Sequence, residues 1–214
     1  MVSPGQSTPF RLGVLASGGG TNLQAILDKC ASGEIPATVA VVIGNNSSCG
    51  ALEKASTAGV SALHISGYTH KAPGALDRAI CKTLNDHHAD LILLAGYMKK
   101  LGPTTLSHYA NRILNIHPAL LPEYGGKGMY GERVHQAVID SGASQSGATV
   151  HLVDEEYDQG PIVSQKVLDV TPQDTVQSLA ARVLELEHEL YAEVVTLFAQ
   201  GRVKIQGRNV EIID

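Results

Sequence analysis

Residues 10–22 read FRLGVLASGGGTN, and this stretch decides the fold. Residues 10–16 are mostly apolar and predict a β-strand, and the glycines at 18–20 predict a tight turn. Residues 23–30 then have the spacing of a helix. A strand followed by glycines and a helix is typical of a phosphate-binding α/β protein.

The start of that helix is the predicted phosphate site. Glycine lets the backbone approach an anion, and a helix start offers unpaired N–H groups with a partial positive charge. Gly20 would therefore hold a phosphate, while Thr21 and Asn22 add side-chain donors and cap the helix. The alternative interpretation is a turn that only joins the strand to the helix.

Two better-known phosphate motifs do not fit this turn. A P-loop needs Lys followed by Ser or Thr after its second conserved glycine, but here Thr21 and Asn22 follow. A dinucleotide fingerprint needs a small residue where Leu23 stands and an acidic residue after the second strand, where residues 44–46 read GNN. The turn therefore predicts a single phosphate rather than ATP or NAD.

Outward from this stretch, strands and helices alternate through the first half of the chain. The alternation predicts an α/β fold with a doubly wound parallel sheet, and the last strands break it, so we expect some antiparallel pairing there. Strands are expected at residues 10–16, 37–43, 60–65, 91–95, 112–117, 147–153 and 162–170, with a terminal hairpin over 203–213. Helices are expected at residues 23–30, 50–58, 75–88, 103–109, 132–140 and 174–199.

Composition limits the class of protein. The chain has 214 residues, 43% hydrophobic and 17% charged, which fits one globular domain over 10–214 after a flexible extension of residues 1–9. The net charge of −5 without a basic cluster argues against a nucleic-acid partner. We also expect no membrane partner, because no apolar run is long enough to span a bilayer and the start lacks a secretory signal. The three scattered cysteines favour a reducing, cytoplasmic location.

Two polar residues interrupt a predicted central strand. Asn115 and His117 are two positions apart, so they share one face at the carboxyl end of that strand, where α/β proteins bind ligands. An amide that donates to a developing oxyanion, beside an imidazole that exchanges a proton, suits acyl transfer.

An acidic stretch at residues 154–158 supplies the third candidate. Asp158 precedes a bend at residues 160–161, so its carboxylate is placed to meet His117 and raise the imidazole pKa. His151 is either a second ring in the site or a core histidine bonded to backbone. We expect no metal, because the histidines lack the short spacings of zinc motifs.

Four segments together resemble one enzyme family. Residues 17–26 (SGGGTNLQAI), 94–98 (LAGYM), 114–122 (LNIHPALLP) and 151–161 (HLVDEEYDQGP) are similar to the phosphoribosylglycinamide formyltransferases, and the likeness extends from about residue 11 to about residue 205. The resemblance implies a Rossmann-like formyltransferase fold, with a central, mostly parallel mixed sheet and helices on both faces. It also implies 10-formyltetrahydrofolate as co-substrate, glycinamide ribonucleotide as acceptor, no metal, and a monomer or homodimer acting in purine synthesis.

The resemblance further implies roles for single residues. The catalytic group would be Asn115, His117 and Asp158. The acceptor would be held by Gly20, Thr21, Asn22 and Glu187. The folate would lie along Met98, Lys99, Lys100, Leu101, Asn115, Asp154, Glu155, Glu156, Tyr157 and Asp158.

The chain departs from the family pattern in three places, one of which is Lys100, where an apolar residue is common in the family. An Arg that contacts the folate tail in the family is replaced by residues 71–73 (KAP), so the contact is lost or taken by Lys71. Residues 125–131 are longer than in some members and lack a short His-rich loop, which leaves the role of His135 open.

Other functions stay open at this point. Methionyl-tRNA formyltransferases and formyltetrahydrofolate hydrolases share the core chemistry, and both are expected to carry a further domain, C-terminal and N-terminal respectively. A phosphate-ligand binding module without catalysis is the third alternative. Such a module would have no use for Asn115, His117 and Asp158 in one place.

Overall fold

The computed structural model describes residues 9–213. Of the predicted N-terminal extension, residues 1–9, only Pro9 lies within the described part. The elements follow in the order β1 (Phe10–Ala16), α1 (Thr21–Ser32), β2 (Ala37–Gly44), α2 (Gly50–Thr57), β3 (Ser61–His64), α3 (Ala75–Asp86), β4 (Leu91–Leu94), α4 (Pro103–His108), β5 (Ile113–His117), α5 (Glu132–Ser141), β6 (Gln145–Leu152), β7 (Ile162–Asp169), α6 (Val176–Ala199), β8 (Val203–Gln206) and β9 (Asn209–Ile212).

The strands form a seven-stranded mixed sheet and a separate hairpin. The sheet order is β3-β2-β1-β4-β5-β6-β7, and β8 pairs with β9. The first five strands of the chain pair in parallel, whereas β6 and β7 are antiparallel to their neighbours. The prediction of a mostly parallel sheet that turns antiparallel near its end is confirmed. The order of the strands reverses between β1 and β4, since β2 and β3 lie on one side of β1 and β4 to β7 lie on the other. Open α/β sheets bind ligands at such a point.

Alternate residues of β1 belong to opposite faces of the sheet. Leu12 and Val14 pack with α1, α2 and α6, whereas Leu15 packs with α3 and the segment around α4. Val, Ile, Leu and Ala dominate both layers. Burial on both faces explains why the central strands read as apolar runs instead of alternating.

The capping of α1 differs from the prediction. Gly20 is its N-cap in a left-handed conformation, and no side chain caps the helix. The side chain of Asn22 is instead bonded to another helix, described below. The long helix α6 does have a capping box, in which Thr175 and Ser178 bond each other's backbone N–H groups.

Two buried hydroxyls tie the strand ends together. The Tyr191 hydroxyl of α6 lies 3.2 Å from the Leu94 carbonyl and 3.0 Å from the Leu114 carbonyl. The Thr149 hydroxyl donates to the Ala119 carbonyl at 2.6 Å and accepts from the Leu121 N–H at 3.1 Å. These bonds satisfy backbone groups where β4 and β5 end, and so hold the edge from which the site is built.

Among residues 9–213, none of the helices combines the length and the apolar character that crossing a bilayer requires.

Candidate active site

A cavity of about 620 Å³ opens at the carboxyl ends of β4 and β5. This volume is within the usual range for small-molecule sites. Leu94, Asn115 and His117 from the strand ends form its floor, and Thr21 and Asn22 form one wall. The edge of the sheet predicted from Asn115 and His117 is therefore the edge that holds the cavity.

Asn115 is oriented by a histidine on the neighbouring strand. In the antiparallel pairing of β5 with β6, Asn115 and His151 lie directly opposite each other. His151 Nδ1 lies 2.9 Å from the Leu152 carbonyl, so this nitrogen donates there and Nε2 is the nitrogen that faces Asn115. The Asn115 amide nitrogen donates to that Nε2 at 3.1 Å, which leaves its second N–H for a ligand. The sequence suggested either a second ring in the site or a core histidine bonded to backbone. His151 is both, since it bonds the Leu152 carbonyl and lines the cavity.

His117 is buried, and both of its ring nitrogens have neighbours. Nε2 lies 2.9 Å from the Tyr124 carbonyl, so it donates there, and Nδ1 lies 3.7 Å from Asp158 Oδ2. Burial lowers the pKa of His117 by more than the Asp158 carboxylate and the Tyr124 carbonyl raise it. Asp158 does raise this pKa, as expected, but burial outweighs the carboxylate and the net shift is downward, because the ring is 3% exposed and its charged form is poorly solvated.

Asp158 does reach both histidines, as its position before the bend suggested. Its Oδ1 lies 3.6 Å from His151 Nε2, and its Oδ2 accepts the Gly126 N–H at 2.8 Å. Burial raises the pKa of Asp158, but the two imidazoles and the Gly126 amide together lower it below its ordinary value. The carboxylate is therefore ionised at neutral pH.

The backbone around Asp158 is tightly constrained. Asp158 itself has a φ of 56°, in the left-handed region that Asp tolerates better than most residues. At Gly160 a Cβ would lie 1.7 Å from the Leu152 carbonyl oxygen, so only glycine fits there. This close approach sets the return of the chain into β7 and thereby the placement of the carboxylate.

The glycine turn joins β1 to α1 as predicted, but Gly20 does not itself line the cavity. Gly20 has a φ of 73°, and a Cβ there would lie 2.7 Å from Ala51 Cα. Thr21 and Asn22 line the cavity, and Gly20 does not. The first N–H groups of α1 have no partner within the helix, which is the arrangement that binds anions in other proteins.

Glu187 of α6 lies beside the turn. Its Oε2 accepts a 2.7 Å hydrogen bond from the Asn22 amide nitrogen, and both side chains are buried. Burial raises the pKa of Glu187 to about 7, although the bond from Asn22 opposes the shift. Asn22 Oδ1 is also buried and has no partner among the described residues. The side chain of Asn22 therefore serves Glu187 and not, as predicted, the helix start.

The opposite end of the cavity is formed by two segments. Of the predicted folate-binding residues, Met98, Lys99, Lys100, Leu101, Asp154, Glu156, Tyr157 and Asp158 line the cavity, and Glu155 does not. The Lys100 ammonium lies 5.6 Å from the centre of the Tyr157 ring, so the two segments contact each other in the wall of the cavity. Lys71 does not line the cavity and lies over the Tyr68 ring, 4.8 Å from its centre.

One buried histidine was not assigned a role from sequence. His135 of α5 lines the same cavity and is 5% exposed, and its Nδ1 has no hydrogen-bond partner in the described structure. Burial, and then the neighbouring His117, lower its pKa. The buried face of α5 is marked by Val134 and Val138, and a histidine beside them gives no spacing signal that would have singled it out.

Within residues 9–213, no three His, Cys, Asp or Glu side chains are grouped in a way that would hold one ion.

Comparison with known proteins identifies the class. The family model described as formyl transferase matches residues 10–195. The chain therefore belongs to the formyl transferase family.

Particular members of the family are similar over nearly the whole chain. The phosphoribosylglycinamide formyltransferase of Haemophilus influenzae is 40% identical over 204 residues, which cover 95% of this chain and 93% of the relative. The crystal structure of glycinamide ribonucleotide transformylase 1 from Symbiobacterium toebii has a TM-score of 0.91 and 44% identity, covering 98% of this chain and 96% of that one. A formyltetrahydrofolate deformylase from Pseudomonas syringae has a TM-score of 0.86 but 25% identity, and the match covers 97% of this chain and 67% of that chain.

Proposed function

We propose that the protein transfers the formyl group of 10-formyltetrahydrofolate to the amine of glycinamide ribonucleotide. The products are formylglycinamide ribonucleotide and tetrahydrofolate. The observation that carries the proposal is that Asn115, His117 and Asp158 meet in the cavity that the start of α1 also lines. The names of these two relatives support the same pair of substrates.

The acceptor is assigned to the wall formed by α1 and α6. Its phosphate would bind the unpaired N–H groups at the start of α1, next to Gly20 and Thr21. Its ribose hydroxyls would donate to Glu187, which Asn22 holds in place. The amine of the acceptor would then point along the cavity toward Asn115 and His117.

The donor is assigned to the other end, where residues 98–101 and 154–158 form the walls. Met98 and Tyr157 are among the exposed large apolar side chains there, which suits the flat ring of a folate. Its formyl group would lie over Asn115. Binding both substrates in one cavity supplies part of the catalysis, because two reactants held in contact no longer have to collide.

The chemical step is an attack of the acceptor amine on the formyl carbon. Negative charge develops on the formyl oxygen, and the free N–H of Asn115 donates to it. One preorganised donor of this kind contributes about 3 kcal/mol of barrier reduction. As the carbon–nitrogen bond to the folate breaks, the departing folate nitrogen takes up a proton.

His117 would carry that proton. Because its pKa is lowered, the ring is mostly neutral at pH 7, and Nδ1 is the nitrogen free to accept, since Nε2 donates to Tyr124. His117 therefore takes the proton from the attacking amine and returns it to the folate nitrogen. Asp158 stabilises the imidazolium between the two transfers. No metal enters this scheme, because the formyl group of the donor is already activated.

An assay of formyl folate consumption with and without acceptor tests the proposal. We expect loss of 10-formyltetrahydrofolate that requires glycinamide ribonucleotide, with an Asp158→Asn variant as the inactive control. Loss without the acceptor would instead make the protein a hydrolase. Binding of both molecules without any loss would make it a non-catalytic module.

A further inference from the structure

The C-terminal hairpin contacts the loop that forms one wall of the donor end. We name residues 154–159, between β6 and β7, the acidic loop. Arg208 lies in the turn between β8 and β9, outside the segment that the formyl transferase family model matches. Its Nη1 lies 3.4 Å from Asp154 Oδ2, and its Nη2 donates to the Gln159 carbonyl. One guanidinium therefore joins the first and the last residue of the acidic loop.

The acidic loop has few internal bonds to hold its shape. It contains no helix or strand, and its internal side-chain bond is the 3.0 Å contact from the Glu156 N–H to Asp154 Oδ1. Asp154, Glu155, Glu156 and Asp158 also repel one another. Asp158 is held by the Gly126 N–H and lies beside the two histidines, but residues 155–157 are exposed. An exposed stretch with like charges opens at a low free-energy cost unless another element holds it.

The hairpin is anchored independently of the loop. Ile205 and Val210 face each other across the hairpin and pack against the main hydrophobic core. At the base, Ile213 donates its N–H to the Arg202 carbonyl at 2.9 Å. The backbone that carries Arg208 is therefore held by apolar packing that the loop does not share.

From this geometry we propose that Arg208 is a positioning residue for the donor site. It does not line the cavity, but it holds Tyr157 in the wall by bonding both ends of the acidic loop, whereas Asp158 is fixed separately by its hydrogen bond from the Gly126 N–H. An arginine suits this task because its planar fork donates to two acceptors at once, whereas a lysine presents a single point charge. The inference rests on the proposed function in one respect, namely that this end of the cavity takes the formyl folate.

The test compares Arg208→Ala and Arg208→Lys with the wild type, and uses Lys204→Ala, on the same hairpin, as the matched charge control. For Arg208→Ala we expect the KM for 10-formyltetrahydrofolate to rise about fivefold, as removal of an exposed ion pair and a charged hydrogen bond predicts. The KM for glycinamide ribonucleotide and kcat should change less than twofold. Arg208→Lys should restore part of the loss, and Lys204→Ala should match the wild type.

Amide hydrogen exchange gives a readout that does not depend on activity. Exchange across the acidic loop should be faster in Arg208→Ala than in the wild type, with unchanged exchange in β5. Unchanged exchange and an unchanged donor KM would overturn the proposal. Equal rises in both KM values with a lower melting temperature would also overturn it, because they would show a general loss of stability. If the wild type lacks acceptor-dependent transfer, the proposed function fails, while the exchange experiment still decides whether Arg208 holds the loop.

Discussion

The amide nitrogen of Asn22, in the first turn of α1, donates a 2.7 Å hydrogen bond to Oε2 of Glu187 in α6. The two residues are 165 positions apart in the chain, and both are buried beside the cavity. This bond couples the wall assigned to the acceptor's phosphate to the carboxylate assigned to its ribose. A substitution at Asn22 should therefore weaken binding of the acceptor by disturbing Glu187 as well as the start of α1.

Replacing Asn22 with Ala tests that coupling. Glu187 would lose its donor, and a buried charged group without a partner is costly, so its carboxylate would turn away or take up a proton. We expect the KM for glycinamide ribonucleotide to rise about tenfold with little change in the donor KM. Gln24→Ala is the matched control, because Gln24 donates to Asp28 on the same helix away from the cavity. Equal acceptor KM values in the two variants would contradict the coupling.

The raised pKa of Glu187 predicts a pH-dependent contribution to stability. Its pKa is about 7 in the folded protein and 4.5 ordinarily, so between these values the folded state binds more protons than the unfolded state. The stability that wild type gains from this group is present below about pH 4.5 and is lost as pH rises toward about 7. Relative to Glu187→Gln, wild type should lose up to about 3 kcal/mol of unfolding free energy over this interval.

Urea unfolding of wild type and Glu187→Gln at about pH 5 and about pH 8 measures this difference. Comparing the two proteins at each pH removes the contribution of His117 and His135, whose lowered pKa values act in the opposite direction. A difference that is the same at both pH values would show that Glu187 is ionised throughout.

His117→Ala should lower kcat far more than it changes either KM. The ring moves the proton in the proposed step, and loss of a general acid–base group costs about a hundredfold or more in rate. Since the neutral ring is the active form and burial lowers its pKa, wild-type activity should fall only as pH drops below the ordinary histidine range. The measurement is a pH profile of kcat, with the exposed His108→Ala as control. A near-normal kcat in His117→Ala would remove the residue from the mechanism.

Gly20→Ala and Gly33→Ala separate the phosphate site from backbone strain. Both glycines have positive φ, 73° and 83°, so each substitution should cost about 1 kcal/mol of stability. At Gly20 the new Cβ would also press on Ala51, whereas nothing lies within 4 Å of it at Gly33. Gly20→Ala should therefore destabilise more, and it alone should raise the acceptor KM. A rise in the donor KM alone would show that the phosphate does not bind at this turn.

Local sequence patterns were enough to predict the strands and helices and part of the candidate site. The apolar run of β1, the glycine turn and α1 follow one another as expected, because strand and helix periodicity and glycine are local signals. Asn115 and His117 share a face for the same reason, since side chains two apart on a strand point the same way. Asp158 was placed near them because residues 160–161 force a bend directly after it.

The tertiary structure alone decided which residues far apart in the chain come into contact. It also decided how burial shifts the pKa of each titratable group. Asn115 faces His151 because β6 pairs antiparallel to β5 in one particular register, which nothing within either strand determines. Asn22 bonds Glu187 because α1 and α6 pack on the same face of the sheet. The pKa of His117 falls instead of rising because desolvation depends on all the atoms around the ring, and the Asp158 carboxylate predicted beside it is only one of those groups.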